Sequence, residues 1–267
     1  MPKITSESRE IFAAKSQPYK DKIAESLELE KNILARLDPE SSETAQTKLM
    51  LSEEMIYVAT LYIAINNLSV TLLGTKNNDA LNDARKILYR AIIYLEEIVT
   101  NVIDISYTEI EDKIEQIAST SISKRYYLIR KLGLAIQLLM EAFGDNSKWR
   151  WSFVEIQGRF ATVAKNIINW KQASKDYFDS QSDDYDTTVY FVRLVKRLLD
   201  QSSKEYRDRY ELSTHTVEDM RLAINYVLSS RRLSIIIGNS EESEELKKKA
   251  TVWKDKVDSD QKKGIAK

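Results

Sequence analysis

Apolar residues recur at three- and four-residue spacing along nearly the whole chain, the signature of amphipathic helices. Pro18 is placed for a first helical turn, and that helix is expected to run to about Leu37. Asp38-Pro39 stops it, because the residue before a proline avoids the helical region. A second helix is predicted from about Glu43 to Leu73, with a stripe at Leu51, Met55, Val58, Tyr62, Ile65 and Leu72 and a C-terminal cap at Gly74. A third begins near Asp79 and repeats through Leu81, Ala84, Leu88, Ala91, Leu95, Ile98, Val102 and Ile105. Its register then slips to Ile103, Tyr107, Ile110, Ile114 and Ile117, as a stutter would do.

If continuous to Ala118, the third helix would be roughly 60 Å long at 1.5 Å per residue. A compact globule of this chain length is only about 45–50 Å across. An elongated molecule is therefore expected, in two lobes: an acidic one over 1–120 and a helical bundle over 121–267, hinged near Ala118–Ser123. The fourth helix, from about Ser121 to Phe143, ends at Gly144. The fifth starts near Ser147 and is expected to carry Phe153, Ile156, Phe160, Val163, Ile167, Trp170 and Tyr177 on one seam. Its slimmer seam holds Trp151, Val154, Gly158, Ala161 and Ile168. Gly158 costs about 1 kcal/mol against alanine in a helix interior, so a packing reason is expected, with Gly133 across an antiparallel hairpin as its partner. Further helices follow from about Asp184 to Leu212, Thr214 to Gly238 and Ser240 to Asp258, after which the tail is expected to fray. The fold class is all-α: an elongated bundle of seven or eight helices, mostly in antiparallel hairpins.

Composition agrees with this pattern. Six glycines and three prolines in 267 residues lie far below ordinary usage of about 7% and 5%. Cysteine is absent, which removes disulfides, thiol nucleophiles and cysteine metal sites. The N-terminus MPKITSESRE has no apolar core of a secretory signal. The chain read as it stands is thus expected in the cytoplasm, and in the periplasm if it is a mature form. Met55 to Thr75 carries no charge and is long enough to span a bilayer, but Asn66 and Asn67 lie inside it. It reads better as a covered central helix.

Net charge is −1 but unevenly spread. Residues 1–120 carry 13 basic and 20 acidic side chains, and residues 121–171 carry 9 basic and 3 acidic. That asymmetry suggests self-association or an acidic partner; bulk nucleic-acid binding would need a strongly basic domain. The segment KWRWSF at 148–153 raises a specific candidate, because Trp149 and Arg150 fall off the large apolar seam. With Lys124, Arg125, Arg130, Lys131 and Arg159 they form a candidate partner-binding surface, aromatic and basic, of the type enriched at interface hot spots. The competing reading folds Trp149 over the hairpin turn.

Catalytic patterns are missing. His215 is the only histidine, which removes HExxH zinc sites, di-iron Glu-x-x-His pairs and multi-histidine centres; capping or solvent exposure is its expected role. Six scattered glycines form no phosphate-binding loop. The stretch DSQSDDYD at 179–186 lacks the turn glycine of a calcium loop and has Tyr190 where the bidentate glutamate belongs. Acids ahead of a helix start explain it better. No cofactor, no metal and no catalytic residue is assigned, and the chain is expected not to be an enzyme.

In overall helical character the chain resembles the spirochaetal periplasmic flagellar coiling or sheath proteins. No motif carries that likeness, so no residue role is transferred. The resemblance implies a structural part in a filamentous assembly. The expected function is a structural or adaptor component acting through protein contacts, with protein partners or self-association. Its rivals are a compact cytosolic regulator of one partner protein, a peripheral protein binding anionic membranes through 121–171, and a magnesium enzyme with aspartates drawn from separate helices.

Overall fold

The computed structural model describes residues 5–39, 41, 43–144 and 149–266. Among them are ten α-helices and no strand, so the chain is an all-α helical bundle protein. It divides into two compact units, one of residues 1–98 with 127–149, the other of 99–126 with 150–267. This replaces the division at 120: the chain passes between units three times.

In the first unit, α1 (Ser6–Leu34) starts at Thr5, whose hydroxyl accepts the Ser8 N–H. That cap lies upstream of Pro18, which therefore sits inside the helix and not in its first turn. Helix α2 (Thr44–Leu73) ends as expected at Gly74, whose φ of 65° is the left-handed conformation that glycine adopts without strain. Helix α3 (Asn78–Ile98) packs on α2, and α2 also packs on α1. Among the described residues α2 is the one helix long and apolar enough to cross a membrane. Its buried polar groups nonetheless have protein partners: the Ser52 hydroxyl donates to the Ala91 carbonyl, and Asn66 Oδ1 accepts the Asn77 N–H. Leu51, Met55, Val58, Leu81, Leu88 and Leu95 are buried, as the stripes require. Arg90 and Tyr94 both donate to the buried Glu30 carboxylate, joining α3 to α1. Burial and this bond hold the Tyr94 phenol well above its usual range.

The third helix does not continue to Ala118. It stops at Ile98, and its apolar register passes into a loop, a single 3₁₀ turn (Tyr107–Glu109) and the short α4 (Glu111–Gln116). The cause is tertiary. The carbonyls of Val99, Thr100, Val102, Ile103, Asp104 and Ile105 accept hydrogen bonds from the side chains of Lys113, Asn166, Lys165, Ser229 and Arg232. A helix could satisfy these groups only internally; here they serve as anchors for α6 and α9 (below). Ile110, Ile114 and Ile117 are still buried, so the apolar periodicity is used without the helix that it suggested.

Helix α5 (Ile122–Phe143) ends at Gly144 with φ 81°, as its pattern implied, and the division between units falls between its Tyr126 and Tyr127. The expected start of the next helix at Ser147, and Lys148 of KWRWSF, lie outside the described residues. The expected fifth helix is two helices, α6 (Arg150–Asn166) and α7 (Trp170–Asp176), because Asn169 caps the second by accepting the Gln172 N–H. These two interruptions account for ten helices against the seven or eight expected.

The second unit is completed by α8 (Tyr185–Arg209), α9 (Val217–Ile236) and α10 (Ser240–Lys262), which runs past the expected fraying point at Asp258. Helix α8 packs on α6 and α9, and α9 on α10. Gly158 on α6 does need space, but for side chains: a Cβ there would lie 2.6 Å from the Tyr206 ring and 2.8 Å from the Tyr226 hydroxyl. Two stacked tyrosines, 5.6 Å between ring centres, fill the space that the missing Cβ leaves, which is the packing reason this glycine was expected to have.

Candidate functional site

The seven residues proposed for partner binding are split between the units. Trp149, Arg130 and Lys131 belong to the first, and Lys124, Arg125, Arg150 and Arg159 to the second. Arg125 is a correction. It is 6% exposed, and its guanidinium donates to the Thr120 and Ile167 carbonyls. It holds two backbone segments together and is not a surface cation. Burial lowers its affinity for a proton, which is the physical cost of that role.

Trp149 is half-buried, edge-on to Phe143 at 6.1 Å, with the Arg85 guanidinium 4.4 Å over its ring. The aromatic–cation pair exists, but its cation comes from α3. Arg150 is exposed and lies over Trp151 at 4.8 Å instead. Phe153 and Phe160 are buried, as the large seam required, and Trp151 is half-buried. Arg159 lies 3.9 Å from Glu155 on its own helix, and Lys124 is exposed. His215 closes a π-helical turn (Tyr210–Thr214) in the left-handed conformation with φ 52°, its ring edge-on to Tyr210.

Lys131 is the member of the set that leads to a defined feature. Its ammonium pairs with Glu53 across a groove between α2 and α5 in the first unit. The groove has a volume of about 470 Å³ and is walled by Ile56, Tyr57, Leu134, Ala135 and Leu138, with Glu53, Glu54, Thr60 and Lys131 on its edges. Leu134 is 58% exposed, Tyr57 42% and Leu138 37%. These are large apolar surfaces standing in water beside an ion pair. Apolar side chains in such a wall gain free energy when another molecule covers them, and Glu53, Glu54 and Lys131 stand beside them. Sequence reasoning missed it because only the core stripe of α5 was followed. A second stripe at Tyr127, Lys131, Leu134 and Leu138, at helical spacing, was the available signal.

The strongly shifted ionisable groups serve structure. Lys165 is 6% exposed and donates to the Ile103 and Ile105 carbonyls at 2.8 and 3.1 Å; burial pushes its ammonium down to about 8. The Tyr210 hydroxyl donates to Asp260, and burial with that bond pushes it up to about 12. Among the described residues no group of three or more His, Cys, Asp or Glu side chains is placed to hold a metal ion.

Glu205 on α8 is pushed up to about 6, chiefly by burial, although the Gln157 and Gln201 amides donate to it. An acid raised in the folded state binds its proton more readily there than in the unfolded chain. Its burial penalty is therefore complete above pH 6 and disappears as pH falls toward its ordinary value of 4.5. Glu205→Gln is expected to stabilise the second unit by about 2 kcal/mol at neutral pH and by nothing near the ordinary carboxyl pKa. Urea denaturation at both pH values checks it, and an equal effect at both would show that the carboxylate charge is not the cause.

No curated protein and no solved structure matches this sequence. The chain belongs to the TP0443 family, whose pattern matches residues 8–261.

Proposed function

We propose that this chain is a non-enzymatic structural or adaptor protein that works by contacts with other proteins in a larger assembly. The observation that carries the reading is the α2–α5 groove, where Tyr57, Leu134 and Leu138 stay exposed around an ion-paired rim. Exposed apolar clusters rimmed by polar groups mark places where a second surface is buried. The buried ionisable groups add support, since Lys165, Arg125, Glu30 and Asp260 are each engaged in holding backbone or neighbouring side chains.

The finer reading is a component of a filament such as a flagellar sheath. It rests on the helical character of the chain, and the family match is consistent with a spirochaetal origin while silent on flagella. The test is native size fractionation of a lysate of the source organism, followed by detection of the chain. An assembly component elutes in particles far larger than its 30.9 kDa. Recovery solely at the size of a monomer or a small homo-oligomer would sink the assembly reading. Isolated filaments test the finer statement: the chain should enrich with them over cell bodies, and its loss from them would remove the flagellar reading alone.

A further inference from the structure

We propose that the α2–α5 groove of the first unit is the contact face for a second copy of this chain, in an isologous dimer. This rests on the reading above that the chain acts through protein contacts, and it names the partner. The argument begins with geometry. Glu53 and Lys131 face each other across the groove within ion-pair distance, so they stand at the same level along it. A two-fold axis running along the groove in the plane of the face exchanges its two walls and preserves that level. It therefore lays α2 of one copy over α5 of the other, with Glu53 of each copy meeting Lys131 of its mate. Opposite charges are paired twice by symmetry alone.

The same rotation sets Tyr57 on one wall against Leu134 and Leu138 on the other, burying the apolar surface that each copy exposes. A partner of uniform charge would match one rim and be repelled by the other. A copy of the same face matches both. The groove floor, with Ile56 and Ala135, leaves room for the Tyr57 ring of the mate to enter. The result is an apolar centre with a polar rim, the anatomy of stable protein interfaces.

The test uses the full chain, with sedimentation equilibrium as the readout. The wild type should dimerise reversibly. Leu134→Asp places a charge at the apolar centre, and Lys131→Glu and Glu53→Lys each set like charges against one another; each should weaken the dimer about tenfold or more. Leu134 and Lys131 are exposed, so folding is checked by unchanged helical circular dichroism. The decisive sample is the mixture of Lys131→Glu with Glu53→Lys chains. In their mixed dimer each contact between positions 53 and 131 of different chains is again between opposite charges, so dimers should return on mixing although neither variant associates well alone. A pair formed only within one chain would give no such recovery.

A wild type that stays monomeric up to high concentration overturns the proposal. So does a dimer indifferent to Leu134→Asp and Lys131→Glu, or a mixture that stays as weak as its parts. The outcome separates from that of the assembly reading. A monomer in pure solution that still fractionates in large particles would remove this dimer and leave the assembly, whereas a groove-dependent dimer never found in larger particles would do the reverse.

Discussion

Replacing Lys165 with alanine is expected to destabilise the second unit by about 3 kcal/mol. Truncation removes a buried four-carbon stem, a change of the kind that costs about 2–5 kcal/mol in a packed core. The Ile105 carbonyl loses its donor, which adds about 1–3 kcal/mol, while Ile103 keeps the Ser229 hydroxyl. Relief of burying an ammonium offsets roughly 3 kcal/mol of this. Lys165→Met keeps the stem and removes the charge, so its loss should be smaller. The pH dependence identifies the cause. With its proton affinity depressed to about 8 from 10.5, the folded chain sheds this proton while the unfolded chain still holds it. The burial penalty is complete below pH 8 and is lifted as pH rises from there toward 10.5, so stability from this group increases with pH across that window. Wild type should gain about 3 kcal/mol on Lys165→Met over the window, measured by urea denaturation at each pH. Comparison with that variant removes the contribution of the many tyrosines. A constant difference would mean that the ammonium carries no burial penalty.

Gly158→Ala is the second large effect, and it runs against helix propensity. In an open helix the change would stabilise by about 1 kcal/mol. Here the new methyl would sit 2.6 and 2.9 Å from Tyr206 atoms and 2.8 Å from the Tyr226 hydroxyl. Both rings are buried and stacked, and the Tyr226 hydroxyl also pairs with Thr162, so neither can withdraw freely. Overpacking of this kind costs about 1–3 kcal/mol, and the contact distances place this site at the upper end. A net loss of about 2 kcal/mol is expected. In a Tyr206→Ala background two of the three close contacts are gone and the Tyr226 ring has room to shift, so the loss from Gly158→Ala should fall below about 1 kcal/mol. A loss of equal size in both backgrounds would show that Tyr206 is not what requires the glycine.

Helix ends governed by local backbone chemistry were legible from the chain itself. Gly74, Gly144 and Gly238 each adopt the left-handed conformation expected after a helix, and Met55 and Val58 on the α2 stripe and Leu88 on the α3 stripe are buried as their spacing demanded. Of the candidate surface, Lys131 was legible as a basic residue of α5, but Glu53 and Tyr57 were not connected to it. They lie more than seventy residues away in sequence, and periodicity reports which face of one helix is apolar, not which helix lies beside it.

What the sequence by itself determined is the helical class, most helix boundaries and the core-facing stripes, because these follow from interactions within three or four residues. What only the tertiary structure decided is where that rule is overridden. Helix α3 ends at Ile98 although the apolar repeat continues, because Lys165, Asn166, Ser229 and Arg232 satisfy the following carbonyls from distant helices. Arg125 is drawn inside because the Thr120 and Ile167 carbonyls need a donor that can reach both. Gly158 is required by two tyrosines of other helices. In each case a buried backbone or side-chain group found its partner through space, and spacing along one helix holds no information about that partner.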